Sequence, residues 1–281
     1  MADPCTDFRL SAEEQADGWK LLSDTSAKAQ WQAGLDLPFP AQGWTVRGTC
    51  LELSEPRGGG SLHSAKAYQD FDLRWEWEIA PGGDSGVRYL AEYQPVPPDL
   101  EPLPEFIAAA SGVTLLLSIV VFLAGRLRYK HRAAAAGFAM VLLAVVGLVG
   151  SMRVNDSLER QYYRDVVGLE YQLLDDSSRG GGTSPKQRTG SLYDILPGQA
   201  PVSGLSHSSR IVVAGGKVQH WLDGALVLEY AQDSQAFQTG LQQTSYRDVE
   251  LEKRRKGRLQ LRNQGSRVVF QNVRIREGTA K

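Results

Sequence analysis

The stretch FDLRWEWEI, residues 71–79, alternates without a break. Phe71, Leu73, Trp75, Trp77 and Ile79 fall on one side; Asp72, Arg74, Glu76 and Glu78 fall on the other. Side chains of an extended chain point alternately to opposite faces, so this is a strand with a core face and a polar face. GGDSG at 82–86 reads as a turn, and 87–93 as a second strand with Val87, Tyr89, Ala91 and Tyr93 on one side. Further strands are predicted at 168–174, 210–214, 217–222, 225–230 and 267–276. Asp223-Gly224 between two of them tolerates the positive φ angles of a type I′ turn, a hairpin signal. Many short strands with Gly-rich turns imply a mainly β fold, a sandwich or jelly roll. Residues 177–189 (SSRGGGTSPKQRT) read as a flexible loop by composition.

The chain has 281 residues, 42% hydrophobic and 22% charged, with a net charge of -1. Such averages fit one large or two small domains and argue against a disordered chain. Lys+Arg (31) and Asp+Glu (32) cancel, which argues against a general nucleic-acid binder. Two cysteines are too few for a disulfide scaffold or a cysteine zinc site, and whether Cys5 and Cys50 pair stays open. His63, His131, His207 and His220 lack ligand spacing, so neither a metal nor a cofactor is expected.

The averages conceal two windows, 106–125 and 133–152, which contain no charge and in which 31 of 40 residues are apolar. A helix of about 20 residues spans about 30 Å, the hydrocarbon thickness of a bilayer. Between the windows, RLRYKHR at 126–132 carries Arg126, Arg128, Lys130 and Arg132. So basic a short loop is predicted to be cytoplasmic. The expectation is a two-helix transmembrane hairpin with both flanks and both termini on the periplasmic side of a bacterial inner membrane. Residues 1–19 contain no apolar signal-peptide region, so either the N-terminal segment crosses directed by the first helix, or the true start lies upstream, or the orientation is inverted. The segments before and after the hairpin are each too small to close a sandwich. The expected organisation is therefore one β-sandwich in two parts, 1–100 and 156–281, interrupted by the hairpin in 101–155. The run KRRK at 253–256 reads as a solvated loop.

Several segments, in order, resemble the DUF1080 or 3-keto-disaccharide hydrolase (3-keto-glycoside lyase/hydratase) family. They are GWKLL at 18–22, YQDFDL at 68–73, GDSGVR at 83–88, GLEYQLLDD at 168–176, TGSLYD at 189–194, RIVV at 210–213, HWLDG at 220–224 and VFQNVRI at 269–275. The resemblance implies a concanavalin-like jelly roll, with the hairpin outside the family pattern. Family chemistry acts on sugars oxidised at C3, whose acidified C2 proton a base removes before the C1 oxygen leaves and water adds. That needs a carboxylate or His base, an enolate-stabilising donor and an acid. The resemblance makes Glu76, Glu78 and Glu170 the acid/base candidates and Arg88 the anion stabiliser. It makes Asp84, Gln172 and His220 the sugar contacts. Glu76 and Glu78 share a face with Arg74, an arrangement suited to a sugar cleft.

The sequence also departs from the family. Ser206-His207 stands where members carry Trp-Asn, Asn263-Gln264-Gly265 where many carry Asp-His-Gly, and Asp84-Ser85-Gly86 where they carry Asn-Ser-Gly. Losing a Trp platform, a His and an amide counts against sugar binding and turnover. Two functions follow. The first is an accessory subunit of an inner-membrane complex, of energy-transducing, respiratory or photosynthetic kind, with partners in the bilayer and among other transmembrane subunits. The alternative is an active membrane-tethered 3-keto-glycoside hydrolase or lyase that binds carbohydrate. Neither involves nucleic acid.

Overall fold

The computed structural model describes residues 5–6, 8–34, 37–56, 59–93, 166–179, 182–199 and 202–278. Met1–Glu92 and Val167–Lys281 form one compact unit, and Tyr93–Val166 another. The windows at 106–125 and 133–152 and the basic loop between them lie outside the described residues, as does the predicted hairpin. Among the described residues no helix is long and apolar enough to cross a membrane.

The first unit is a β-sandwich. One sheet contains β1 (Lys20–Leu21), β3 (Trp44–Arg47), β4 (Cys50–Leu53), β6 (Phe71–Ile79), β9 (Ser206–Ala214), β10 (Lys217–Leu222), β11 (Ala225–Ala231) and β13 (Val268–Glu277). Its order is β11-β10-β9-β6-β13-β4-β3, with β1 also on β13. The other sheet runs β2-β5-β12-β7-β8, from β2 (Trp31–Gln32), β5 (Leu62–Tyr68), β12 (Gly257–Leu261), β7 (Asp84–Tyr93) and β8 (Val166–Leu174). Short helices α1 (Ala12–Ala16), α2 (Ala27–Gln30) and α3 (Gln235–Gln242) flank the sheets. Ser11 and Glu14 close a reciprocal capping box on α1.

The alternation of β6 is realised as expected. Phe71, Leu73, Trp75, Trp77 and Ile79 are all buried, and Trp75 meets Tyr171 of β8 edge-on at 5.2 Å across the core. Asp223 and Gly224 take φ of 49° and 81°, both positive as the hairpin between β10 and β11 requires. The segment 177–189 is not a loosely solvated loop along its described length. It holds two 3₁₀ turns, and the carboxylates of Asp175 and Asp176 accept backbone N–H groups of Ser177, Ser178, Thr189 and Val202. Nor is 253–256 wholly solvated. Arg254 lies across β7 and β8, donating to the Val167 carbonyl at 2.5 Å and pairing with Glu92 at 3.4 Å. Cys5 and Cys50 form a disulfide that ties the N-terminal segment to β4.

The strands β7 and β8, which border the undescribed segment on either side, are neighbours. Gly168 sits against Ala91 so closely that a Cβ there would come within 2.9 Å of the Ala91 Cα. The chain thus leaves the sheet on one strand and returns on the adjacent one.

Candidate functional site

Parity along β7, β8 and β12 sorts their residues between the core and the outer face of the five-stranded sheet. Val87, Tyr89, Leu169, Tyr171, Leu173, Leu259 and Leu261 are in the core. Asp84, Gly86, Arg88, Glu170, Gln172, Gln260 and, just beyond β12, Arg262 point the other way. A bulge lies between β7 and β12, where Arg258 and Gln260 pair with Ala91 and Arg88. The extra residue, Leu90, has φ of 49°, a backbone state that bulges accommodate and that non-glycine residues otherwise avoid.

Glu170 is the centre of this face and is 4% exposed. Arg88 Nε donates to its Oε2 at 2.9 Å, and Arg262 Nη1 reaches both oxygens at 2.6 and 2.7 Å. Gln264 Nε2 adds a bond to Oε1 at 3.2 Å. Each oxygen therefore accepts twice, which fills the lone pairs of an ionised carboxylate. Gly86 makes room for the group: a Cβ there would lie 2.5 Å from Oε1. Nearby, Arg88 also reaches Gln260 and Tyr246, and Gln172 donates to Asp84 at 2.8 Å. Gln172 is 1% exposed, and its Oε1 has no hydrogen-bond partner among the described residues. Tyr193 borders the cluster, its hydroxyl pushed up by burial and by the carboxylates of Asp194, Glu170 and Asp84. His63 is pulled down to about 4 by burial and by Arg258 and Arg88, so it is neutral at pH 7.

The structure thus brings together Glu170, Arg88, Asp84 and Gln172. It separates Glu76, Glu78 and His220 from them. Glu76 and Glu78 lie on the outer face of the other sheet, across the core, where they meet Arg274 and Arg267. His220, expected as a sugar contact, is fully buried in the core. Its Nδ1 donates to the Gly190 carbonyl at 2.9 Å, so Nε2 accepts from Tyr89 Oη at 2.8 Å, and Tyr89 in turn accepts from Tyr230. Burial pulls His220 down to about 4. The parity of β10 carries this signal: His220 shares its face with Val218 and Leu222, both buried. The sequence reading missed His63, Tyr193, Tyr246, Gln260, Arg262 and Gln264 as site residues. RLQLR at 258–262 alternates just as 71–79 does and marks Arg262 as facing away from the core. Among the described residues no group of three metal-ligating side chains forms.

The fold is shared with two candidate glycosyl hydrolases of known crystal structure from Parabacteroides distasonis ATCC 8503. One is 21% identical with a TM-score of 0.60, covering 96% of this chain and 99% of the other. The second is 16% identical with a TM-score of 0.54, covering 92% and 99%. These likenesses show the fold, a mainly β sandwich. Residues 11–109 and 126–276 match the sequence model of the 3-keto-alpha-glucoside-1,2-lyase-like domain, and the chain belongs to that family. The match passes through the second apolar window and omits 110–125, so the break in the family pattern is narrower than the predicted hairpin. A curated relative, the 3-keto-disaccharide hydrolase of Bacteroides thetaiotaomicron, is 23% identical over 234 residues, 79% of this chain. The chain spans 61% of that relative's length.

Proposed function

We propose that this protein is an accessory subunit of an inner-membrane complex, in which a sugar-hydrolase-like sandwich serves as a rigid extracytoplasmic body without turnover. The observation that carries this reading is the saturation of Glu170. A carboxylate that already accepts four hydrogen bonds, three of them from guanidinium groups, has no lone pair left to take a proton from a sugar. The remaining sequence candidates, Glu76, Glu78 and His220, lie away from it. A transmembrane hairpin at 106–125 and 133–152 would anchor the body, with the loop 126–132 cytoplasmic and both termini periplasmic. Adjacent exit and return strands suit the paired outer ends of such a hairpin. The Cys5–Cys50 disulfide suits an oxidising compartment. The partners are then the lipid bilayer and other transmembrane subunits, not nucleic acid; an energy-transducing assembly, respiratory or photosynthetic, is the kind proposed.

The alternative is an active membrane-tethered 3-keto-glycoside hydrolase or lyase. The buried Oε1 of Gln172, which has no hydrogen-bond partner among the described residues, favours it, since a sugar hydroxyl would complete that group. Gentle solubilisation from native membranes followed by native electrophoresis separates the two readings. Migration within a larger complex, with no release of sugar from 3-keto-glucosides, supports the accessory role. Migration alone at monomer size, or turnover lost in Arg88→Met, supports the enzyme.

A further inference from the structure

The outer face of the eight-stranded sheet holds a cleft of about 320 Å³, remote from the Glu170 cluster. Arg74, Glu76, Ser208, Arg210, Trp221 and Arg274 line it. Strand register explains its charge. Arg74 stands directly opposite Arg210 on one side and Arg274 on the other, and Arg210 stands opposite Trp221. Three guanidinium groups and an indole therefore form one row across four neighbouring strands. Like charges in direct cross-strand register repel, so the row needs compensation.

The fold supplies much of it and leaves two guanidinium edges open: Glu14 pairs with Arg274 at 3.6 Å, Arg274 lies over Phe8, and Arg74 lies over Trp19. Asp72, 1% exposed, takes Arg210 in a fork at 2.8 Å and Arg74 at 3.2 Å, but it also takes Arg276 at 3.5 Å. Glu76 takes Arg274 at 3.2 Å through Oε1, while its Oε2 is shielded and has no hydrogen-bond partner among the described residues. The side chains of Arg74 and Arg210 remain 35% and 29% exposed.

We propose that this cleft binds a sugar acid, a hexuronate unit, independently of the reading of the Glu170 site. A carboxylate would accept from the exposed guanidinium edges of Arg74 and Arg210. Sugar hydroxyls would donate to Glu76, whose side chain is 33% exposed, and exchange bonds with Ser208. Trp221, half-buried at the end of the row and covered on one face by Arg210 at 5.5 Å, offers its remaining apolar surface to the C–H face of the ring. Phosphate has few or no donors for Glu76 and is repelled by it. A neutral sugar brings no charge to the exposed edges of Arg74 and Arg210. A ligand that carries both a carboxylate and hydroxyls matches the exposed guanidinium edges and Ser208 together.

The test is calorimetric titration of the full chain in detergent micelles with D-galacturonate, against D-galactose and inorganic phosphate at matched ionic strength. The expected result is saturable binding of galacturonate, about tenfold or more tighter than either control. Trp221→Ala and Arg74→Ala should each weaken it by about tenfold, with folding checked by thermal melting; either one suffices if the other fails to fold. Absence of saturation with galacturonate overturns the proposal. So does equally tight binding of galactose or of phosphate, or unchanged binding in a folded variant.

Discussion

Replacing Glu170 by Gln tests whether this carboxylate is a structural lock. The group is 4% exposed and neutralises two guanidinium groups, Arg88 and Arg262, whose side chains are 11% and 22% exposed. Removing one partner of a buried ion pair leaves uncompensated charge and costs about 3–5 kcal/mol. Glu170→Gln keeps the shape and one acceptor oxygen, which places it near the lower end, about 3 kcal/mol. For a unit of roughly 200 residues each kcal/mol moves Tm by about 2–4 °C, so the midpoint should fall by roughly 6–12 °C. The control is Glu78→Gln, whose half-exposed side chain reaches Arg267 only at 3.6 Å. Exposed pairs of that kind contribute about 0–1 kcal/mol. Differential scanning calorimetry at pH 7.5 reads both variants. Adding Arg262→Met to Glu170→Gln should cost less than the two single losses summed, because both act on one network. If Glu170→Gln melts within about 2 °C of the wild type, the lock is refuted and the carboxylate is free for other work.

Acid should destabilise the sandwich through His220. Its folded pKa of about 4 lies below the ordinary value of 6.5, so the unfolded chain binds the proton first. Stability is full above pH 6.5, falls as the pH drops towards 4, and should be about 2 kcal/mol lower at pH 5 from this group alone. Urea unfolding at pH 7.5 and 5.0 measures the loss, and His220→Gln should reduce the difference between them. The disulfide closes a sequence separation of 45 residues, which corresponds to about 4 kcal/mol in a chain-entropy account. Cys5→Ser, or dithiothreitol on the wild type, should lower the urea midpoint accordingly; equal midpoints would contradict a bond that constrains the unfolded chain.

The two sheets were partly legible in the sequence, since period-two alternation is a local property. Residues 71–79 and the Asp223-Gly224 turn declare themselves because each depends on its own neighbours alone. The capping box at Ser11 and Glu14 and the alternation at 258–262 are equally local signals that the sequence reading overlooked. The site was legible only in part. Alternation says that Glu76 and Glu170 both point away from a core, yet not that they do so on opposite sides of it.

What the sequence determined by itself was the mainly β character, the inner and outer faces of the clearest strands, the family, and the two apolar windows. What the tertiary structure alone decided was which polar faces meet. Glu170 reaches Arg88 across 82 residues and Arg262 across 92, and Asp72 reaches Arg210 across 138. A strand's alternation fixes the direction of its side chains relative to its own sheet. Strand order and register fix what those side chains touch, and both come from closing the whole sandwich around its shared core.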